Sequence, residues 1–180
     1  MEPIDIIFQR RSIRKFTPQA VEVEKVETLL KAAMAAPSAV NSQPWEFIVV
    51  DDQDTLKQLK KISLFSNRNA PLAIVVLGSP KKASNPAGER FWVQDCSAAM
   101  QNLLLAAVCL DLGGVWIGVH PLQGVEEKVR KVLGIPPAST PLGLALIGYP
   151  AEEKDARTRY KKDRVHWQYY GGKFSEGARS

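Results

Sequence analysis

A long apolar segment at residues 91–111 constrains the fold of this chain more than any other feature. Its sequence, FWVQDCSAAMQNLLLAAVCLD, places apolar residues on nearly every helical face, so a helix here must be covered by other elements. The following pair Gly113–Gly114 is predicted to end this helix, because glycine commonly follows helix C-termini. We therefore expect a central buried helix with the rest of the chain packed around it.

Short apolar runs on both sides of this helix have the length of β-strands. They are rich in β-branched and aromatic residues and lie at 45–50, 72–77, 115–119 and 142–149. Helical patterns lie at 3–10, 22–36, 54–62 and 125–133, the last closed by Gly134. Helices come first, then strands and helices alternate, which indicates an α+β or α/β sandwich with a sheet of about four strands. No linker divides the chain, so we expect one domain over residues 1–180.

Composition excludes several classes of protein. The chain is 45% hydrophobic and 24% charged, which is ordinary for a globular domain. No apolar run approaches the roughly 18 residues of a membrane span, and the N-terminus lacks the basic start of a signal peptide. Cys96 and Cys109 both fall in the apolar helical run and are predicted to be buried free thiols, which points to a reducing cytoplasm. The absence of a CxxC motif or Cys/His cluster argues against a zinc site.

The net charge of +5 is confined to the two ends of the chain. Residues 17–150 hold 12 basic and 12 acidic residues, whereas residues 1–16 carry a net charge of +2 and residues 151–180 carry +3. A nucleic-acid-binding protein usually shows a broad basic face instead. Two short cationic segments suit a small anion such as one phosphate, although solvated termini alone also explain this pattern.

Two short motifs contain arginines at alternating positions. Arg10, Ser12 and Arg14 in RRSIRKF share one face if the segment is extended, and Arg157 and Arg159 in RTRY have the same spacing. Guanidinium groups and a hydroxyl on one face are typical of a phosphate clamp. The alternative is a solvated helix end and a solvated tail.

Two further motifs adjoin predicted strands. PSAVNSQPW (37–45) is a loop with hydroxyl and amide side chains that leads into a strand, and GGVWIGVHP (113–121) ends a strand at Gly118. A rigid loop of this kind can contact a planar polar ring, and a glycine allows a ligand to approach the backbone. Ordinary turn chemistry explains each motif equally well. Phe65, Phe91 and Trp92 are expected to pack in the core.

The chain lacks GxGxxG, P-loop and GxSxG motifs, so any difficult chemistry is expected to belong to an organic cofactor. Together, RRSIRKF, PSAVNSQPW, AAMQNLLLAA, GGVWIGVHP and the GYPAEEK…RVHW tail resemble the FMN-dependent nitroreductase-like flavoprotein family over essentially the whole chain. The resemblance implies a three-layer sandwich with a mostly antiparallel sheet. It also implies a homodimer with flavin at the interface, in which the tail 151–180 wraps the partner.

The resemblance also implies which residues bind FMN. It implies that the two basic motifs bind the FMN phosphate and ribityl chain, and that the 37–43 loop contacts the edge of the flavin ring. It further implies that the backbone around Gly118 lies near the reactive nitrogen of the flavin. The implied residues are Arg10, Arg11, Ser12, Arg14, Pro37, Ser38, Asn41, Gln43, Ile117, Gly118, Val119, Arg157 and Arg159. No catalytic side chain and no metal ligand is implied.

The activity implied is electron transfer from NAD(P)H to an electron-poor small molecule, such as a nitroaromatic or a quinone, by a ping-pong mechanism. Three alternatives remain at this point. One is a member of the same family with other chemistry, such as dehalogenation, dehydrogenation or flavin breakdown. The second is a non-catalytic FMN carrier, and the third is a small nucleic-acid-binding protein.

Overall fold

The sheet of this protein has four strands, all paired antiparallel. The computed structural model describes residues 2–173. The strands are β1 (Trp45–Val50), β2 (Leu72–Gly78), β3 (Gly113–Gly118) and β4 (Thr140–Gly148), in the order β1-β2-β4-β3. This confirms the predicted strands to within about two residues at either end.

Five α-helices surround the sheet in the described part of the chain. They are α1 (Asp5–Gln9), α2 (Val23–Met34), α3 (Gln53–Leu59), α4 (Ala87–Cys109) and α5 (Gln123–Leu133). Local chemistry explains two of the boundaries. The Asp52 carboxylate accepts a hydrogen bond from the Thr55 amide at 2.8 Å and caps α3, and Gly134 ends α5 in the left-handed conformation at φ 64°.

Both faces of the sheet are buried, which confirms the three-layer sandwich. Side chains alternate along β2, so that Leu72, Ile74 and Val76 face one side while Ala73, Val75 and Leu77 face the other. The first set packs with α2 and α4 residues, and the second packs with α3 and α5 residues. A strand buried on both faces needs a continuous apolar run, and LAIVVL provides it.

The end of α4 differs from the prediction. The helix stops at Cys109, Asp111 turns the chain at φ 60°, and Gly113 and Gly114 are the first residues of β3. The glycines are required for packing, because a Cβ at Gly114 would lie 2.8 Å from both Ile147 and Leu104.

Three predictions of burial also fail, those for Cys109, Phe91 and Phe65. Cys96 is buried as predicted, but Cys109 is exposed, because it is out of phase with the buried face of α4. The opposite face of this helix is open in the protomer, where Phe91 is 44% exposed. Phe65 lies in a short 3-10 turn and is 73% exposed, so it is not a core residue.

The two terminal segments meet beside β3. Residues 10–16 run in extended conformation, and the Ile13 amide donates to the Gly114 carbonyl at 3.0 Å. The tail leaves β4 and carries the exposed side chains of Tyr160, Tyr169 and Tyr170, whereas Phe174 lies outside the described residues. None of the helices between residues 2 and 173 has the length and apolarity needed to cross a bilayer.

Candidate functional site

Four arginines from the two ends of the chain cluster on the protein surface. The Arg157 amide donates to the Phe8 carbonyl at 3.1 Å, and the Arg11 guanidinium donates to the Asp155 carbonyl. Desolvation, followed by the positive charges of Arg11, Arg159 and Arg10, lowers the pKa of Arg157. The mutual repulsion of four guanidinium groups makes this cluster a favourable position for an anion.

Arg14 and Ser12 lie next to this cluster but have different neighbours. The Arg14 guanidinium donates to the Ser12 carbonyl at 3.3 Å, and the Arg14 amide donates to the Glu152 carboxylate. Lys154 Nζ donates to the same Ser12 carbonyl at 2.6 Å and to Glu152 at 2.9 Å. Glu152 and Lys154 therefore fasten the extended segment to the tail, a role that was missed although both residues lie in the GYPAEEK motif.

Gly118 ends β3 in an open position. It is exposed, and a Cβ built on it would meet nothing within 4 Å. Its neighbours are less available than the prediction implied, because the Ile117 and Val119 side chains are buried in the core and the Val119 amide donates to the Leu142 carbonyl at 3.1 Å. Of the three predicted residues, Gly118 is the one whose surroundings leave room for a ligand.

The loop that follows α2 has an unusual backbone conformation. Val40, Asn41 and Gln43 all have positive φ, at 50°, 54° and 47°. This conformation is rare for non-glycine residues and costs the most for a β-branched residue such as Val40. Hydrogen bonds within the loop stabilise it, since the Gln43 side chain donates to Asn41 Oδ1 at 2.8 Å and the Gln43 amide donates to Ser38 Oγ at 3.1 Å. The loop exposes Pro37, Asn41 and Gln43, and half-buries Ser38.

A buried carboxylate holds this loop from inside. Asp95 of α4 is 5% exposed; its Oδ1 accepts from the Ala39 amide at 2.9 Å and its Oδ2 accepts from the Ser42 hydroxyl at 2.8 Å. Sequence reasoning missed this residue. The signal was available, because Asp95 is the one acid between Glu89 and Asp111 in an otherwise apolar helix.

The segment 78–90 also holds this loop through hydrogen bonds. Ser84 Oγ donates to the Asn41 carbonyl at 2.9 Å, and Asn85 Nδ2 donates to the Val40 carbonyl at 2.9 Å. The base of this segment is tied to the sheet, because the Glu46 carboxylate accepts from the hydroxyls of Ser79 and Ser139 and pairs with Lys82. These hydrogen bonds lower the pKa of Glu46, with the bond from Lys82 contributing most. The loop is therefore pre-organised from two sides.

Three groups of candidate residues lie apart in the protomer: the arginine cluster, Gly118 and the 38–43 loop. The arginine cluster adjoins Ser12, which pairs with Gly114, so it lies at the opposite end of β3 from Gly118. Gly114 and Gly118 are four residue steps apart along the strand, which corresponds to about 13 Å. The 38–43 loop precedes β1, whose first residue is at the same end of the sheet as Gly118 but three strands away, or about 14 Å.

These three groups have complementary chemistry. The arginines suit an anionic group, Gly118 suits a flat group that approaches the backbone, and the 38–43 loop offers amide and hydroxyl groups for a polar ring edge. Within residues 2–173, no group of three or more His, Cys, Asp or Glu side chains is arranged to hold a metal ion. Together they match the chemistry of a ligand with an anion at one end and a polar ring at the other, but one protomer does not bring all three groups to one place.

Comparisons with known proteins give consistent matches over most of the chain. The profile of the Nitroreductase family matches residues 7–69 and 65–149. A protein of Archaeoglobus fulgidus, provisionally named an NADH dehydrogenase/NAD(P)H nitroreductase, is 45% identical over 170 residues, which cover 92% of this chain and 97% of the relative.

Solved structures match the fold equally well. An FMN-dependent nitroreductase of Clostridium difficile R20291 has a TM-score of 0.83 at 35% identity, and the match covers 92% of this chain and 99% of that one. A Desulfovibrio desulfuricans protein, provisionally named a nitroreductase and crystallised in complex with FMN, has a TM-score of 0.79 at 30% identity, with coverages of 94% and 98%.

Proposed function

Because this chain belongs to the nitroreductase family, we propose that it is an FMN-dependent oxidoreductase that transfers electrons from NAD(P)H to an electron-poor small molecule, such as a nitroaromatic or a quinone. The observation that carries the proposal is the contact between the two terminal segments, because the Arg157 amide bonds to the Phe8 carbonyl and the Arg11 guanidinium bonds to the Asp155 carbonyl. This contact brings the arginines at positions 10–11 and 157–159 together from opposite ends of the chain. The FMN phosphate carries nearly two negative charges near neutral pH, which these guanidinium groups offset.

Several residues would hold the cofactor. The four arginines, with Ser12 and Arg14 beside them, would bind the phosphate and ribityl chain. Gly118, with Ile117 and Val119 supporting its backbone, would allow the ring to approach closely. The 37–43 loop would contact the polar edge of the ring through Ser38, Asn41 and Gln43, with Pro37 limiting its movement.

The separation of the groups favours a homodimer. The 38–43 loop lies across the sheet from the arginine cluster, so a second protomer would bring its own loop to the cluster. Large apolar side chains are exposed at the start of the chain, where Ile4 and Ile7 are 55% and 52% exposed, and on the tail, where Tyr170 is 91% exposed. Exposed side chains of this kind are typical of a protein interface, and we assign them to contacts with the partner, around which the tail from residue 151 would wrap; residues 174–180 of this tail lie outside the described residues.

The protein's part in the reaction is binding and orientation. When bound, FMN supplies the two-electron chemistry. The chain would hold the phosphate and orient the 37–43 loop. The open space at Gly118 would leave room for the nicotinamide donor and the acceptor to bind one after the other, as a ping-pong order requires. No side chain is assigned an acid or base role.

The free thiols of Cys96 and Cys109 support a location in the reducing cytoplasm.

The first test is a titration of the apo-protein with FMN, monitored by the fluorescence of the flavin. We expect Arg10→Ala and Arg157→Ala each to weaken FMN affinity about tenfold or more, as expected for loss of a charge-assisted hydrogen bond. Arg90→Ala, at an exposed position on α4, is the matched control and should bind FMN like the wild type. Equal affinity in all four proteins would exclude the arginine cluster as the phosphate site.

Activity is then measured on the FMN-loaded protein without oxygen. We expect NADH or NADPH to bleach the flavin absorbance near about 450 nm, and a panel of nitroaromatics and quinones to restore it. Bleaching by neither donor would support an FMN carrier instead. Restoration by halogenated compounds alone would favour other chemistry of the same family.

A further inference from the structure

The structure contains a second cationic site, which lies between α3 and α5 and is not used by the proposed flavin site. It is a cavity of about 720 Å³, lined by Lys57, Lys60, Lys61, Lys128, Ser63 and Asn67. We propose that this cavity binds the diphosphate of an adenine nucleotide.

The charge of the cavity is the first argument. Lys57 pairs with Asp54 at 2.9 Å, but Lys60, Lys61 and Lys128 form no ion pair with any residue between 2 and 173. None of the residues that line the cavity in the described chain is acidic. Three lysines without an ion-pair partner attract anions to a concave surface.

The helix dipole explains only part of this pattern. Lys57, Lys60 and Lys61 lie in or just after the last turn of α3, where cations interact favourably with the helix C-terminus. Lys128, however, comes from the middle of α5 and faces the same hollow. A stabilised helix end does not require this fourth lysine, whereas a bound diphosphate has enough oxygens for several ammonium groups.

Neutral groups complete the site. Ser63 is held in place, since its hydroxyl accepts from the Ser66 amide at 3.2 Å, and the Asn67 side chain has no hydrogen-bond partner among residues 2–173. Leu64 lines the cavity and is 89% exposed, and the neighbouring Phe65 is 73% exposed. The apolar side chain of Leu64 in the cavity wall provides a surface against which a base can pack. Phosphate alone would not need this apolar surface.

Two kinds of molecule carry an adenine nucleotide diphosphate. One is the ADP half of the nicotinamide donor, and this source rests on the proposed function. The other is a free adenine nucleotide that binds independently of the flavin chemistry.

The test is calorimetric titration of the FMN-loaded protein with ADP, AMP and inorganic phosphate. We expect ADP to bind most tightly and its affinity to fall as salt is raised. The double variant Lys61→Gln/Lys128→Gln should bind ADP about tenfold more weakly or worse and retain wild-type FMN affinity. The matched control is Lys31→Gln/Lys131→Gln, at exposed lysines outside the cavity, which should bind ADP like the wild type.

Steady-state kinetics distinguishes the two sources. If the donor uses the cavity, ADP competes with NADPH and the double variant raises the KM for NADPH without changing kcat. If a free nucleotide uses it, ADP still binds but the KM for the donor is unchanged. Equal ADP affinity in the wild type, the double variant and the control would overturn the proposal. Because the titration does not depend on turnover, this result is independent of whether the protein is a reductase.

Discussion

The substitution Asp95→Asn tests whether one buried carboxylate holds the 38–43 loop in its strained conformation. Asp95 accepts hydrogen bonds from the Ala39 amide and the Ser42 hydroxyl. Asparagine has nearly the same shape but no charge; its oxygen can accept from the Ala39 amide while its NH₂ group donates to the Ser42 hydroxyl, which can also act as an acceptor. The substitution therefore replaces two charge-assisted hydrogen bonds with two neutral ones, without creating a cavity.

The magnitude follows from the lost charge. A hydrogen bond to a charged group contributes about 1.5–3 kcal/mol and a neutral one about 0.5–1.5 kcal/mol, so weakening both bonds costs about 1.5–3 kcal/mol in total, equivalent to about a 10- to 150-fold change in an equilibrium constant. The loop is expected to open locally before the whole domain unfolds, because it lies at the surface and already contains three residues with positive φ. The free energy of loop opening should therefore fall by about 1.5–3 kcal/mol.

Amide hydrogen exchange of the apo-protein measures this quantity directly. We expect the Ala39 amide to exchange about 10- to 150-fold faster in Asp95→Asn. The matched control is Asp54→Asn, which removes an exposed carboxylate paired with Lys57 and should leave exchange in the loop unchanged.

A double-mutant cycle with Ser42→Ala provides the stricter test. Because Ser42 and Asp95 share a hydrogen bond, their effects on loop opening should be non-additive by at least about 0.5 kcal/mol. Wild-type exchange at Ala39 in Asp95→Asn, or additive effects in the cycle, would refute the idea that this carboxylate holds the loop.

Three further predictions concern other parts of the molecule. Gly118→Ala should change the free energy of unfolding of the apo-protein in urea by less than about 1 kcal/mol but weaken FMN binding. Gly114→Ala should destabilise the fold by about 1–3 kcal/mol, because its Cβ would lie 2.8 Å from two core side chains. A larger loss of stability in Gly118→Ala than in Gly114→Ala would contradict both roles. Hydrogen bonds from a backbone amide and a lysine lower the pKa of Glu152 from 4.5 to about 2, so its contribution to stability is present above pH 4.5 and lost as the pH falls toward 2. The urea midpoint of Glu152→Gln should therefore depend less on pH across this window than that of the wild type, and parallel curves would exclude the effect. Leu144→Ala, at a fully buried position, should cost about 2–5 kcal/mol in urea unfolding.

Much of the fold could be predicted because its information is local. The apolar run of β2 and the glycine that ends α5 act over a few residues, so periodicity and turn chemistry located them. The alternating arginines of RRSIRKF and RTRY were likewise visible as motifs, although their meeting was an expectation until the chain was folded. Prediction failed at the C-terminus of α4, where Gly113 and Gly114 serve close packing in β3 and not helix termination.

The amino-acid sequence by itself determined the order of the elements, the two-sided burial of the sheet and the family to which the motifs belong. Only the tertiary structure decided that Asp95 holds a loop more than 50 residues away, that Gly118 and the arginines lie at opposite ends of β3, and that Lys61 and Lys128 face one cavity. The physical reason is that periodicity records which face of an element is buried, but not which distant element covers it. Contacts between distant residues depend on how the layers pack, and that packing places the candidate sites.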